Sequence, residues 1–185
     1  NQSRFRSSKT TVRAEMKVTF AGAVKSAFVY FALFRGLSTR AEYWYFVLFS
    51  VLAALVLGTI DSVIWPPVQT DDVLEALNQP TPFSNIFAII LLVPSLAITS
   101  RRIRDAGWSG KWLWSLLLPI VPFLFGAFGA FEYLVNVVNP TTEDFFTIGA
   151  YFLPALLVAL MVQIFLLVLC LRPSKSKEDG NRYAE

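Results

Sequence analysis

The sequence predicts an all-α integral membrane protein with four transmembrane helices and an interfacial amphipathic helix before the first. Three observations carry this. Of 185 residues, 55% are hydrophobic and only 16% charged, whereas an average soluble domain is about 25% charged. Four stretches are long and apolar enough to cross a bilayer, which takes about 20 residues for a hydrocarbon core about 30 Å thick. Finally, every basic residue falls outside those stretches and on one side of them.

Residues 1–15, NQSRFRSSKTTVRAE, form a basic N-terminal extension with no acid before Glu15. Its Ser, Thr and Arg content suits either the end of an organelle transit peptide or a plain basic tail. Residues 16–40 hold an interfacial helix and an arginine-rich approach to the first span. The apolar part of residues 16–34, MKVTFAGAVKSAFVYFALF, has the look of a fifth span. Lys25 would then lie in mid-membrane, at about 3 kcal/mol on insertion scales. A helix lying in the interface, aromatic side down and lysines up, avoids that cost.

Residues 41–171 form the four-helix transmembrane domain, with spans expected near 41–64, 83–100, 112–131 and 148–171. Helix is the form expected of an open chain here, because lipid leaves unpaired backbone groups unsatisfied. Prolines 94, 119, 122 and 154 fall in the last three spans. Each removes a backbone donor, and membrane helices commonly tolerate this. Gly126 and Ala130, four apart, suit a close helix approach. Residues 172–185 are a polar C-terminal tail.

The charges set the orientation. Lys and Arg number eight in residues 1–42, four in residues 101–111 (Arg101, Arg102, Arg104 and Lys111) and four in the tail. The other two connections are acidic, with Asp61, Asp71, Asp72 and Glu75 in or beside one and Glu132, Glu143 and Asp144 in or beside the other. Four spans place both termini and the 101–111 connection together, and the positive-inside rule makes that side cytoplasmic, stromal or matrix. The net charge of +3 averages a basic and an acidic face, so nucleic acid is not an expected partner. Histidine is absent and Cys170 is the single cysteine, which excludes a disulfide framework and a Cys/His metal cluster.

Three polar patches lie on the basic side: FRGLSTRAEYW (34–44), RRIRDAGWSGKW (101–112) and EDGNRYA (178–184). Glu42 and Asp105 are acids in basic surroundings. Their expected partners are Arg35, Arg40, Arg101, Arg102 and Arg104, because a guanidinium grips a carboxylate through two donors. Gly107 and Gly110 are expected to turn the chain between spans two and three. Tyr43, Trp44, Trp108 and Trp112 suit the headgroup layer. No metal site and no catalytic residues are expected. The alternative reading of the arginines is a solvated basic loop that only sets topology.

FALFRGLSTRAEYWYFVLF, PSLAITSRRIRDAGWSGKWLW and GNRYA, in that order, resemble the domain-of-unknown-function family 805, small bacterial inner-membrane proteins. The likeness spans about 16–184 and implies the membrane fold without a reaction. Three positions depart from the family pattern: Arg104 stands where it has His, Lys111 where Trp often follows Ser-Gly, and Ala184 where it has Gly. The resemblance places the chain in a bacterial inner membrane, and the N-terminal composition admits a plastid or mitochondrial one.

Abundant Phe and Trp with few polar groups in the spans points to a non-catalytic accessory or structural subunit. Its expected partners are membrane lipids and a larger membrane complex, respiratory or photosynthetic. No cofactor is required, and a bound lipid or pigment would fit the composition. The alternative is a small oligomeric transporter or channel with Asp61 on its pathway, since intramembrane acids usually line such paths. An enzyme using Glu42 and Asp105 as acid and base lacks a nucleophile or metal beside them.

Overall fold

A computed structural model describes residues 18–66, 80–137 and 141–184, and all of its described secondary structure is helical. The 1–15 extension and the acids Asp71, Asp72 and Glu75 lie outside the described residues. The elements are α1 (Phe20–Val29), α2 (Arg40–Ile64), α3 (Pro82–Asp105), a 3-10 helix (Gly110–Leu117), α4 (Ile120–Asn136) and α5 (Thr142–Leu171). Four stretches are long and apolar enough to cross a membrane: Arg40–Ile64, Pro82–Asp105, Gly110–Asn136 and Glu143–Leu171. Helix α1 is ten residues, about 15 Å at 1.5 Å per residue, and so too short to be a fifth span. The chain divides into two compact units, with the division after Arg102 in the last turn of α3.

In the first unit, α1 packs on α2 through its small face. Ala23 and Ala27 are fully buried, and their lack of bulk lets the helices approach. Ala27 joins Phe46, Leu91 and Ile98 in a core bordered by Tyr43, Phe49 and Phe87. Phe28 meets Phe46 and Phe49 edge-on at 6.4 and 6.0 Å, a geometry that sets ring edge against ring face. Lys25 is exposed.

Helix α2 starts where a capping box dictates. The Glu42 amide donates to Thr39 Oγ1 at 3.3 Å, and the Thr39 amide donates to Glu42 Oε2 at 2.9 Å. Reciprocal bonds of this kind satisfy two of the backbone donors a helix start leaves free. Helix α3 is capped from another helix. Asp61, fully buried near the end of α2, accepts from the Phe83 amide (3.0 Å), the Ser84 amide (2.8 Å) and the Ser84 hydroxyl (2.7 Å). With Pro82 in the first helical position, where its missing N–H costs nothing, Asp61 does the work normally done by the residue just before a helix.

The arginine cluster is helical where a loop was expected. Helix α3 continues through Arg101–Asp105 and ends in a Schellman motif, with the Gly107 amide bonded to Arg104 O (2.9 Å) and the Trp108 amide to Ile103 O (3.1 Å). Arginine is a good helix former, and cations in a last turn complement the helix dipole. Gly107 has φ +85, the left-handed conformation this motif requires. Gly110 has no positive φ and opens the 3-10 helix. The turn therefore depends on Gly107 alone of the two glycines.

In the second unit, the expected third span is split into the 3-10 helix and α4 around Leu118–Pro119. Pro119 lacks a donor, so a helical hydrogen bond is missing at the junction, although Leu118 (φ -57, ψ -39) and Pro119 (φ -66, ψ -16) both keep right-handed helical backbone. Pro122 falls in the first turn of α4, where amides are free in any case. Helices α3 and α5 continue through Pro94 and Pro154. Helix α5 starts earlier than expected, on a second capping box between Thr141 and Asp144. The pair Gly126 and Ala130 is buried between α4 and α5. A Cβ on Gly126 would lie 2.4 Å from the Tyr151 carbonyl oxygen.

Candidate functional site

In the first unit, the polar residues collect where α2 begins and α3 ends. Glu42, fixed by the capping box, also accepts from the Ser38 hydroxyl at 3.1 Å. Its charge attracts the Arg101 guanidinium. Arg101 is buried, its Nε donates to Ala97 O at 3.4 Å, and its guanidinium carbon lies 5.7 Å from the centre of the Tyr30 ring. A cation over an aromatic face is held by the ring quadrupole. Next to it, the buried Ser100 hydroxyl donates to Phe34 O at 3.3 Å. Arg102 is fully buried and engaged. Arg35 and Arg40 are exposed. Tyr43 and Trp44 meet edge-on at 5.4 Å, Tyr43 against the core and Trp44 outward.

In the second unit, the tail folds back on the end of α3. The Ser174 hydroxyl donates to the Asp105 carboxylate, and the Lys175 amide donates to Asp105 O at 2.9 Å. Asn181, 1% exposed, is the centre of this joint. Its Nδ2 donates to Arg104 O and Lys175 O, both at 3.0 Å, and its Oδ1 accepts from the Tyr183 amide at 3.0 Å. The Tyr183 ring lies 5.7 Å from the Arg104 guanidinium carbon, and the Trp108 ring 5.2 Å from that of Arg172. Trp112 packs on Trp108 (6.2 Å) and Phe165 (5.1 Å). The tail itself is turned by Ser176 and Asp179. The Ser176 amide and hydroxyl donate to Asp179 Oδ2 at 2.9 and 2.7 Å. These bonds hold the Asp179 carboxyl below the usual carboxylate range.

Of the residues expected to form the cluster, Glu42 and Arg101 share one environment, and Asp105 meets the tail through Ser174. Sequence reasoning placed Asn181 and Tyr183 in the 178–184 patch without giving either a role, and missed Ser174 and Tyr30. The capping boxes were legible in T-x-x-E at 39–42 and T-x-x-D at 141–144. Nothing local marks Asn181, whose partners include a backbone group 77 positions away.

The family described as "Protein of unknown function (DUF805)" matches residues 31–185, so α1 precedes the matched part. The chain is similar to the inner membrane protein YhaH of Escherichia coli strain K12 and to the protein of that name in Escherichia coli O157:H7. Identity to each is 29% over 92 residues, covering 49% of this chain and 69% of the relative. No solved structure matches.

Proposed function

The chain belongs to the DUF805 family, and on that premise we propose that this integral membrane protein is a non-catalytic accessory or structural subunit packing against a larger membrane complex. The observation that supports this most is how the polar groups in the apolar helices are used. Asp61 is occupied by three donors from the start of α3. Ser50 donates to Phe46 O (2.8 Å), Thr59 to Val56 O (2.7 Å), Ser62 to Gly58 O (2.9 Å) and Thr99 to Ser95 O (2.7 Å). Groups turned onto their own helix backbone offer little to a passing ion, and this supports a packing role over the alternative of a small transporter or channel. The outward surface is large and apolar, with Val63, Phe125, Phe128 and Phe146 all well exposed.

The relatives' printed name supports an inner membrane; the N-terminal composition supports an organelle membrane as the other setting, and the charge distribution supports both termini on the cytoplasmic, stromal or matrix side. Extraction in a mild detergent followed by native gel migration tests the subunit reading. The expected result is comigration with a larger assembly at fixed stoichiometry. Recovery as a lone monomer under the gentlest extraction would overturn it.

A further inference from the structure

We propose that Arg101 is a binding site for the phosphate of an anionic membrane lipid, roofed by Tyr30. A guanidinium has five donors in a planar fork, matched to phosphate and carboxylate. Arg101 is 5% exposed, yet its Nη2 has no hydrogen-bond partner among the described residues. A buried charged donor left unpaired is costly. Glu42 acts on this guanidinium only as a nearby charge with its own donors, Ser38 and Thr39. Arg101 is therefore a buried cation with binding capacity to spare.

The surroundings specify the ligand. Around Arg101 the first unit carries Arg35, Arg40 and Arg102 against Glu42, and the last turn of α3 adds Arg104 and Asp105, one of each sign, so the local excess is positive and the complementary ligand an anion. The roof over the guanidinium can move. Tyr30 follows the last residue of α1 and is 47% exposed, so its ring can swing outward without disturbing a helix. Phe31, Leu33 and Phe34, which follow it, are 41%, 45% and 40% exposed. An anion in a headgroup layer flanked by exposed apolar side chains is a lipid phosphate with its acyl chains against those residues. Anionic headgroups are recognised by basic residues at this level of a membrane.

The test uses the full chain in detergent, titrated with short-chain phosphatidylglycerol, its phosphatidylcholine counterpart and inorganic phosphate, with bound lipid counted by native mass spectrometry. Phosphatidylglycerol should bind about tenfold or more tightly than phosphatidylcholine, whose phosphodiester is the same but whose choline brings a second cation among the arginines, a like-charge penalty that phosphatidylglycerol does not meet. Arg101→Gln should abolish that preference, and Lys25→Gln should keep it. If Arg101→Gln does not fold, Tyr30→Ala replaces it: removing the roof should speed phosphatidylglycerol association several-fold and leave phosphatidylcholine unaffected. Equal binding of the two lipids by the unaltered chain, or an unchanged preference in Arg101→Gln, overturns the site. An unaltered association rate in Tyr30→Ala overturns the roof. Displacement of the lipid by inorganic phosphate at matching concentration overturns the lipid assignment.

Discussion

At Asn181 a single side-chain amide joins three backbone groups around the tail. Asn181→Ala would leave the Lys175 carbonyl and the Tyr183 amide without their Asn181 partner, and the Arg104 carbonyl with the Gly107 amide alone. At about 1–3 kcal/mol for each buried group left unsatisfied, with partial relief by water, the expected loss is about 2–4 kcal/mol. Thermal unfolding of the purified protein reads it, and Lys177→Ala, on an exposed side chain, is the matched control with little change. Asp179 gives a pH signature to the same tail. Its carboxyl is held below the ordinary value, so its stabilisation is fully present above about pH 4. It fades as pH falls through the ordinary and then the lowered value, because the unfolded chain takes up the proton first. The protection of the Ser176 and Asn181 amides, relative to their intrinsic exchange at each pH, should fall over that acid range and be flat above it. In Asp179→Asn the acid dependence should vanish.

Helices α4 and α5 approach closely at Gly126, where there is no room for a side chain. Gly126→Ala sets a methyl 2.4 Å from a backbone oxygen, which no rotamer relieves, so the helices must separate at about 1–3 kcal/mol or more. Gly149 in α5 has nothing within 4 Å of an added Cβ. Gly149→Ala should therefore stabilise by about 0.5–1 kcal/mol through helix propensity alone. Comparing the two unfolding midpoints separates packing from propensity. The Gly126 contact was legible from the spacing of Gly126 and Ala130, as were all four spans, because length and hydropathy are local properties. The break at Leu118–Pro119 was not: proline alone does not say whether a helix continues, as it does through Pro94 and Pro154, or stops. The arginines of RRIRD were misplaced in a loop because charge marks a boundary of the apolar core rather than a boundary of the helix. The acids Glu42 and Asp105 were legible as polar positions. Their neighbours Ser38 and Ser174 were not, since neutral donors outside a capping pattern carry no charge signal.

Across the chain as a whole, the orientation proposed for the termini can be read directly. Cys170 is buried, so labelling of the unaltered protein gives a low background. Cysteines placed at Ser7 and Lys177 should react from one side of sealed vesicles, and one at Gln79 from the other. Reaction of all three from one side would remove the four-span arrangement. The Asp61 cap bears on how such a chain is made. Its acceptor precedes its donors by 22 and 23 positions, so during synthesis the carboxylate leaves the ribosome while the groups that will receive it are still inside. An acid near the end of a span weakens insertion, by up to about 3 kcal/mol at the bilayer centre and less toward the edge. Helix α2 is thus a weaker passenger alone than with α3, and the two should enter the bilayer as a hairpin. A nascent chain stopped soon after Trp65 should resist alkaline extraction less well than one stopped beyond Leu92, and Asp61→Leu should erase the difference. Biogenesis of the first unit then has a fixed order, written in which residue waits for which.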